Sequence, residues 1–443
     1  MAASPTPLEE SLRRLETIVS PFVGIVRRVR FDLAAAEDAR LVSVTSELAD
    51  VRDTLGGGLE AGAGSFERHR KRALAAALGE AAERYSATFL AADDLVLATA
   101  DELGPEAVDP QRFALFRDDQ YAAAGFLPQP FTRASRVRWT RGFSVPEGRP
   151  VFLPAQLVYL SGLPLAPGEA LIGYPTSNGL ACRPTFEEAV LAGLLEVLER
   201  DAFMLTWHNR LTLPRLNAGG DRELEAFHEL YVEPTGLRVE IVDLSVFHSV
   251  PTALALVHGA ERDTTSLALG AACASRVQEA WQKAVCESFA VRAWARGLRL
   301  ADPDRVFDPA FADIRTFADH VHFYALEVNA EHAAFLDASE SVRSAAEVPP
   351  LAGDDLQAQI GEIARRLSAN GAVPYAVDVT APDVRAAGLR VVKAIVPELC
   401  ALDATHGARF LGGSRIYNAA YELGLRSAPL PRAELNPYPH SFP

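Results

Sequence analysis

Two stretches, "ALGEAAERYSATFL" (residues 77–90) and "LLEVLERDAFMLTW" (residues 194–207), set Glu-x-x-Glu-Arg into otherwise apolar, helix-forming sequence. On an α-helix, residues i, i+3 and i+4 are surface neighbours, so Glu80, Glu83 and Arg84 share one face of the first segment. At about 100° per residue, Glu188, Glu196, Glu199 and Arg200 fall within a single arc of the second. A carboxylate in an apolar surround is costly unless it is paired or neutralised. Each stripe must therefore face water, with local Glu–Arg pairs worth roughly a few tenths of a kcal/mol, or face an enclosed space where protons or cations offset the like charges. The flanking runs "ALAAALG", "VLAGLL" and "AFMLTW" favour the enclosed space for two such stripes.

Hard carboxylate oxygens beside guanidinium groups suit Mg²⁺ and phosphate: carboxylates hold the metal, the metal bridges phosphates, and Arg neutralises the remainder. That is nucleotide chemistry without a P-loop. The Gly-rich stretch "GGGLEAGAGS" (56–65) lacks the Gly-Lys-Ser/Thr ending of a phosphate-cradling loop and reads as a flexible connection before a helix at about 67–90. A third helix, from about Ser275 to Trp294, places Glu287 on a face otherwise made of Ala280, Ala284 and Val291. Taken alone, Glu287 reads as a partly buried residue paired with a neighbour such as Arg292.

The rest of the chain alternates helix and strand patterns. Leu8, Leu12, Leu15 and Val19 predict an amphipathic helix over 8–19, followed by strands in "FVGIVRRVRF" and "ARLVSVTSEL". "RVRWTRGFSV" and "PVFLPAQLVYL" read as strands, "YPTSNGLACRPT" as a loop, and 185–209 as the second long helix. "GLRVEIVDL" and "PTALALVHG" read as paired buried strands; "LQAQIGEIARRLSA" reads as a helix, with strands in "VPYAVDVT" and "LRVVKAIVP" after it. The fold class is α/β, of the mixed α+β kind, with no solenoid period. The tail "APLPRAELNPYPHSFP" has the composition of a disordered terminus.

With 443 residues, about half of them apolar, the chain can bury a large core in one to three domains. A net charge of −15 argues against a general nucleic-acid binder and against an anionic membrane surface, and fits cations or basic peptides. The three lysines, Lys71, Lys283 and Lys393, read as a compositional bias towards Arg, without function. Cys182, Cys273, Cys286 and Cys400 are scattered, with neither Cys-x-x-Cys nor zinc spacing, as expected of reduced thiols. No secretion signal and no apolar run near the ~18 residues of a membrane span is visible, so a cytoplasmic protein is expected.

"TSNGLACRPTFEEAVLAGLLEVLERDAF" together with "ALGEAAERYSATF" resembles the YcaO family, ATP-dependent enzymes that activate backbone amides of peptides, and the likeness runs over nearly the whole chain. It implies a YcaO-like fold, with the Glu-x-x-Glu-Arg helices packed on mixed sheets. The implied divisions are an N-terminal helix and strands (1–60) contributing to the nucleotide site, a catalytic core (61–426) and a Pro-rich tail (427–443) entering the active site. It also implies ATP and Mg²⁺ as cofactors, Glu80, Glu83, Glu188, Glu196 and Glu199 as metal ligands, and Arg84, Arg200 and Glu287 around ATP. "LEES" resembles the family's nucleotide-contacting helix, which makes Ser11 a contact to ATP. Three positions depart from the pattern. Ala76 stands where the first motif has Ser, Ala290 or Val291 where the third helix has Gln, and Ser441 where azoline-forming members have the central Pro of Pro-x-Pro-x-Pro.

The start "LETIVSPFVGIVRRV" and the Pro-rich end resemble the D-component of thiazole/oxazole synthetases, which implies azoline formation. In that reaction a Cys, Ser or Thr side chain of a ribosomal precursor peptide attacks the preceding carbonyl, ATP phosphorylates the oxyanion, and phosphate leaves. The resemblance points to the carboxylate of Pro443 as the base. His440 beside it reads as a solvent-accessible packing residue and Cys182 as a small passive one. Residues 1–60 are too short to hold a leader-binding domain besides their own helix and strands, so a separate ThiF-like partner is expected, with a homodimeric enzyme. Two rivals stay open: a degenerate member serving as a peptide-binding scaffold, and an acidic protein whose stripes face solvent.

Overall fold

The computed structural model describes residues 6–35, 38–50, 63–90, 95–160, 164–259 and 265–442. Most of the Gly-rich stretch at 56–65, and Pro443, lie outside the described residues. The chain divides into two compact units built from separated segments: Met1–Asp32, Val42–Val197 and Gly353–Leu399 form the first, and Leu33–Leu41, Leu198–Ala352 and Cys400–Pro443 the second. The division falls inside the helix Phe186–Asn209.

In the first unit, the strands Val26–Asp32, Val42–Leu48 and Ala63–Glu67 form an antiparallel sheet. The helix Arg70–Thr88 buries Ala73, Ala77, Leu78, Ala81 and Ala82, whose small side chains allow close packing, and leaves Glu80, Glu83 and Arg84 on a partly exposed face. A second antiparallel sheet runs in the spatial order Val96–Ala98, Val137–Ser144, Tyr375–Asp378, Arg390–Ile395, Leu180–Arg183, with Pro150–Pro154 also paired to Val137–Ser144. Two readings change here. "PVFLPAQLVYL" is a strand only over Pro150–Pro154; Ala155–Val158 turns into a short helix because the Gln156 amide bonds Ala170 O (2.8 Å) and accepts from Ile172 N (3.0 Å). Within the expected loop "YPTSNGLACRPT", Leu180–Arg183 is a strand at the sheet's edge, with Cys182 opposite Val391 and Leu180 opposite Lys393.

The second unit holds a five-stranded sheet in the order Leu267–Cys273, Thr252–His258, Arg238–Asp243, Arg215–Asn217, Val342–Ser344, with only the last pair parallel. Leu267–Cys273 is buried throughout. The helix Val277–Ala301 lies directly on it because Gly270 has no side chain; a Cβ there would collide with Ser288 N and Ala284 O. Phe203, Trp207, Leu254, Leu256, Leu269 and Tyr324 make the centre of this unit's core. Each such side chain contributes about 1.5–3 kcal/mol on leaving water.

The tail is ordered up to Phe442, against its composition. The carbonyls of the tail are used as acceptors: Tyr324 Oη donates to Pro439 O (2.7 Å) and Trp207 Nε1 to Tyr438 O (3.2 Å). Asn436 Nδ2 donates to Trp207 O (3.1 Å), and Phe442 is fully buried against Phe203. His440 is not solvent-accessible. It is 2% exposed, stacked at 4.0 Å on His320 with its Nε2 2.6 Å from Asp403 O, and burial pushes its pKa well below the ordinary histidine value. Among the described residues no helix is long and apolar enough to cross a membrane.

Candidate active site

In the first unit a helix carboxylate caps a sheet edge. Glu83 Oε1 accepts from Cys182 N (2.6 Å) on the edge strand Leu180–Arg183, an N–H with no neighbouring strand to bond. Burial pushes the Glu83 carboxyl up, Arg183 and the Cys182 N–H pull it down, and the charges of Glu196 and Glu80 push it up again, to about 8. Glu80 and Glu196 therefore each act on Glu83 within this unit. Arg84 Nη2 lies 3.2 Å from Glu80 Oε1. The Cys182 thiol, pushed up to about 12 by burial with Glu83 beside it, is no nucleophile; what Cys182 contributes is its N–H.

Glu188 sits apart from this pattern. Its Oε2 accepts from Thr185 N (3.0 Å) and Thr185 Oγ1 (2.8 Å), while Thr185 Oγ1 accepts from Glu188 N (3.2 Å), a capping box that starts the helix Phe186–Asn209. Ser11 Oγ donates to Pro7 O (2.9 Å) one turn back along its own helix.

The second unit repeats the edge device twice. Glu287 Oε2 accepts from Ala271 N and Glu199 Oε2 from Cys273 N, both at 3.0 Å. Residues 271 and 273 expose their N–H groups on the same edge of the strand Leu267–Cys273, so two helices bring their carboxylates side by side. Arg200 Nε is 3.6 Å from Glu199 Oε1, and its guanidinium lies over the Phe442 ring at 4.5 Å, which ties the ordered tail to a predicted site residue. Arg292 is fully buried and its Nε donates to Asp38 Oδ1 (2.9 Å), with Arg296 on the same carboxylate. Val291 packs among Ala268, Ala295, Val321 and Ala325, whereas Ala290 is only half-buried.

One residue of this region escaped sequence reasoning. Lys393, on the strand Arg390–Ile395, is 2% exposed; its Nζ donates to Thr176 O (2.6 Å). Burial presses its pKa down to about 7, Glu196 works against that shift and Arg84 adds to it. A lone lysine inside the apolar run "LRVVKAIVP" was the available signal.

A carboxyl raised to about 8 chiefly by burial, with the charges of Glu196 and Glu80 adding to the shift, fits a divalent cation: a cation would do what the proton on Glu83 does. Among the described residues no three His, Cys, Asp or Glu side chains are already drawn into one metal-binding group. Like charges keep apart until a cation offsets them.

Residues 66–400 match the profile of the YcaO cyclodehydratase family, described as ATP- and Mg²⁺-binding. The match covers well over half of the chain, which therefore belongs to this enzyme family. A heterocyclase solved in complex with substrate and cofactor is similar over 99% of this chain and 57% of its own, at 26% identity and a TM-score of 0.78. The YcaO protein of Methanopyrus kandleri, solved bound with AMPPCP and Mg²⁺, is similar over 88% of this chain and 91% of its own. At 19% identity and a TM-score of 0.61, that likeness concerns the fold. An uncharacterized protein of Methanothermobacter thermautotrophicus is 29% identical over 210 residues, 45% of this chain and 49% of its own. The chain spans about half the length of the curated relatives it matches.

Proposed function

We propose that this chain is an ATP-dependent cyclodehydratase that converts Cys, Ser or Thr of a ribosomally made precursor peptide to thiazoline or oxazoline. The observation that carries the reading is the Glu83 carboxylate, which accepts from the edge N–H of Cys182, is raised chiefly by burial and further by the charges of Glu196 and Glu80, and has the Glu80–Arg84 pair one turn along its own helix. ATP, when bound, supplies the phosphoryl group that makes the amide oxygen a leaving group, and Mg²⁺ offsets the phosphate charge. In this reading Glu80, Glu83, Glu188, Glu196 and Glu199 hold the metal, and Ser11, Arg84, Arg200 and Glu287 face the nucleotide. Glu188 would first leave its capping box with Thr185. The work of the protein is to orient the peptide nucleophile and its carbonyl and to neutralise charge, without a covalent enzyme intermediate. Pro443 is the proposed base; the residue before it, Phe442, lies under Arg200.

A leader-binding, ThiF-like partner delivering the peptide, a homodimer, and a cytoplasmic setting consistent with four buried free thiols complete the proposal. Mass spectrometry of a precursor incubated with this chain, the partner and Mg·ATP tests it: each ring removes about 18 Da, the water eliminated in closure. Sulfur replacing oxygen would instead mark a thioamide-forming enzyme, and an unchanged mass with intact peptide binding would mark a scaffold. Glu196→Gln should abolish Mg²⁺-dependent ATP binding while leaving the fold in place.

A further inference from the structure

The helix Phe317–Ala325 turns two buried side chains, His320 and Tyr324, to the tail. Four residues apart, they share one face of that helix. Tyr324 Oη donates to Pro439 O (2.7 Å), and His320 Nδ1 lies 2.9 Å from the next carbonyl, His440 O. The other ring nitrogen, His320 Nε2, lies 3.1 Å from Ala404 O. The His440 ring stacks on that of His320 and reaches the same segment: its Nε2 is 2.6 Å from Asp403 O, and since a carbonyl only accepts, that nitrogen donates. One helix face and one pair of stacked rings thus fasten residues 439 and 440 to residues 403 and 404.

Both partners of His320 are carbonyl oxygens, and a neutral imidazole has a single N–H to give. Burial above all lowers the pKa of His320, to about 4; Arg409 adds to the shift, while the two carbonyls and Asp319 work against it. Near neutral pH the ring therefore serves one carbonyl at a time. A proton on Nδ1 fastens the tail, and a proton on Nε2 fastens residue 404 instead. The Nδ1 contact is the shorter of the two. An apolar ring would fill the same space but would take this donor from a buried tail carbonyl. We infer that His320 and Tyr324 are positioning residues for the C-terminal carboxylate, clamping the tail by the carbonyls of Pro439 and His440, with His320 gripping it only while its proton is on Nδ1. The inference rests on the reading of Pro443 as the base.

Two amide side chains separate the two ring nitrogens. The nitrogen of Asn reaches where Nδ1 stands and that of Gln where Nε2 stands, so His320→Asn keeps the donor to the tail and His320→Gln keeps only the donor to Ala404 O. The packing lost with the ring is lost in both. Hydrogen exchange of the tail is followed by mass spectrometry in the full chain, and ring formation is timed with the partner, a precursor and Mg·ATP. Exchange at His440, Ser441 and Phe442 should stay near the wild-type rate in His320→Asn and rise roughly fivefold to tenfold in His320→Gln, the size of one lost hydrogen bond. In His320→Gln kcat should fall by a similar factor, and in His320→Asn it should be kept. Tyr324→Phe keeps the ring and removes the donor to Pro439 O; it should loosen the tail by a like factor and serves if both His320 variants misfold. Equal tail exchange in folded Asn and Gln variants, or exchange unmoved by Tyr324→Phe, overturns the inference. Exchange that follows this order beside a kcat that ignores it overturns instead the reading of Pro443 as the base.

Discussion

Each unit draws a carboxylate in from solvent, Asp201 fully and Glu83 in large part, and the two are handled in opposite ways. Asp201, in the second unit, is fully buried and accepts from Arg415 Nε and Nη2 (2.8 and 2.7 Å), Cys400 N (2.8 Å) and His248 (2.8 Å). Burial alone would raise its pKa, but Arg415 and His248 together hold it well below the usual carboxylate range. Glu83, in the first unit, has one backbone donor; burial above all raises its pKa to about 8, Arg183 and the Cys182 N–H falling short of offsetting it, and Glu196 and Glu80 adding to the rise. A buried charge with every lone pair answered is structural, whereas one left among like charges waits for a cation. The edge-strand devices sharpen the contrast: Glu83, Glu199 and Glu287 all satisfy edge N–H groups, so each carboxylate serves the fold even before any ligand arrives.

The comparison breaks first at Asp201. Asp201→Ala leaves Arg415 buried without its partner and should destabilise the protein by about 3–5 kcal/mol in urea melts; a loss below about 1 kcal/mol would mean that Asp201 is no better served than Glu83. Because its folded pKa is depressed, the Asp201 contribution is present above the unfolded value of 3.8 and is lost as pH falls through the folded one. Glu83 has the opposite sign. Its folded pKa lies above the unfolded 4.5, so stability from this group falls as pH rises from there to about 8 and then levels off. Glu83→Gln, which keeps an acceptor for Cys182 N, should therefore stabilise the metal-free protein by about 1–3 kcal/mol at pH 8 and have almost no effect at pH 4. Melts at the two pH values check this; equal effects at both would mean that the Glu83 carboxyl is not raised in the folded protein. Smallest is the cap: Thr185→Ala should cost about 1 kcal/mol and release Glu188, readable as a lower melting temperature without loss of Mg²⁺-dependent nucleotide binding.

Much of the fold was legible locally. The helices Arg70–Thr88, Phe186–Asn209 and Leu356–Ala369 follow their 3.6-residue patterns, and the strands Arg238–Asp243 and Thr252–His258 pair as read. Leu267–Cys273 escaped because a strand of small apolar residues buried on both faces has no alternation to detect. Leu180–Arg183 escaped because its strand partner, Arg390–Ile395, lies some two hundred residues away in the chain.

Helix periodicity by itself determined that Glu80 and Glu83 would share a face with Arg84, and that Glu196, Glu199 and Arg200 would do the same, since spacings of three and four residues decide that before any packing occurs. Tertiary structure decided what those faces meet. It set Cys182 N against Glu83, gave Asp38 to Arg292, enclosed His440 in a core and aimed Lys393 at Thr176. Those outcomes depend on close approach between distant backbones, at Gly179, Gly193 and Gly270, where the absence of a side chain lets two elements touch. A charge pattern records which residues lie side by side on one element; the partners that set their pKa values arrive only when another element is packed against it.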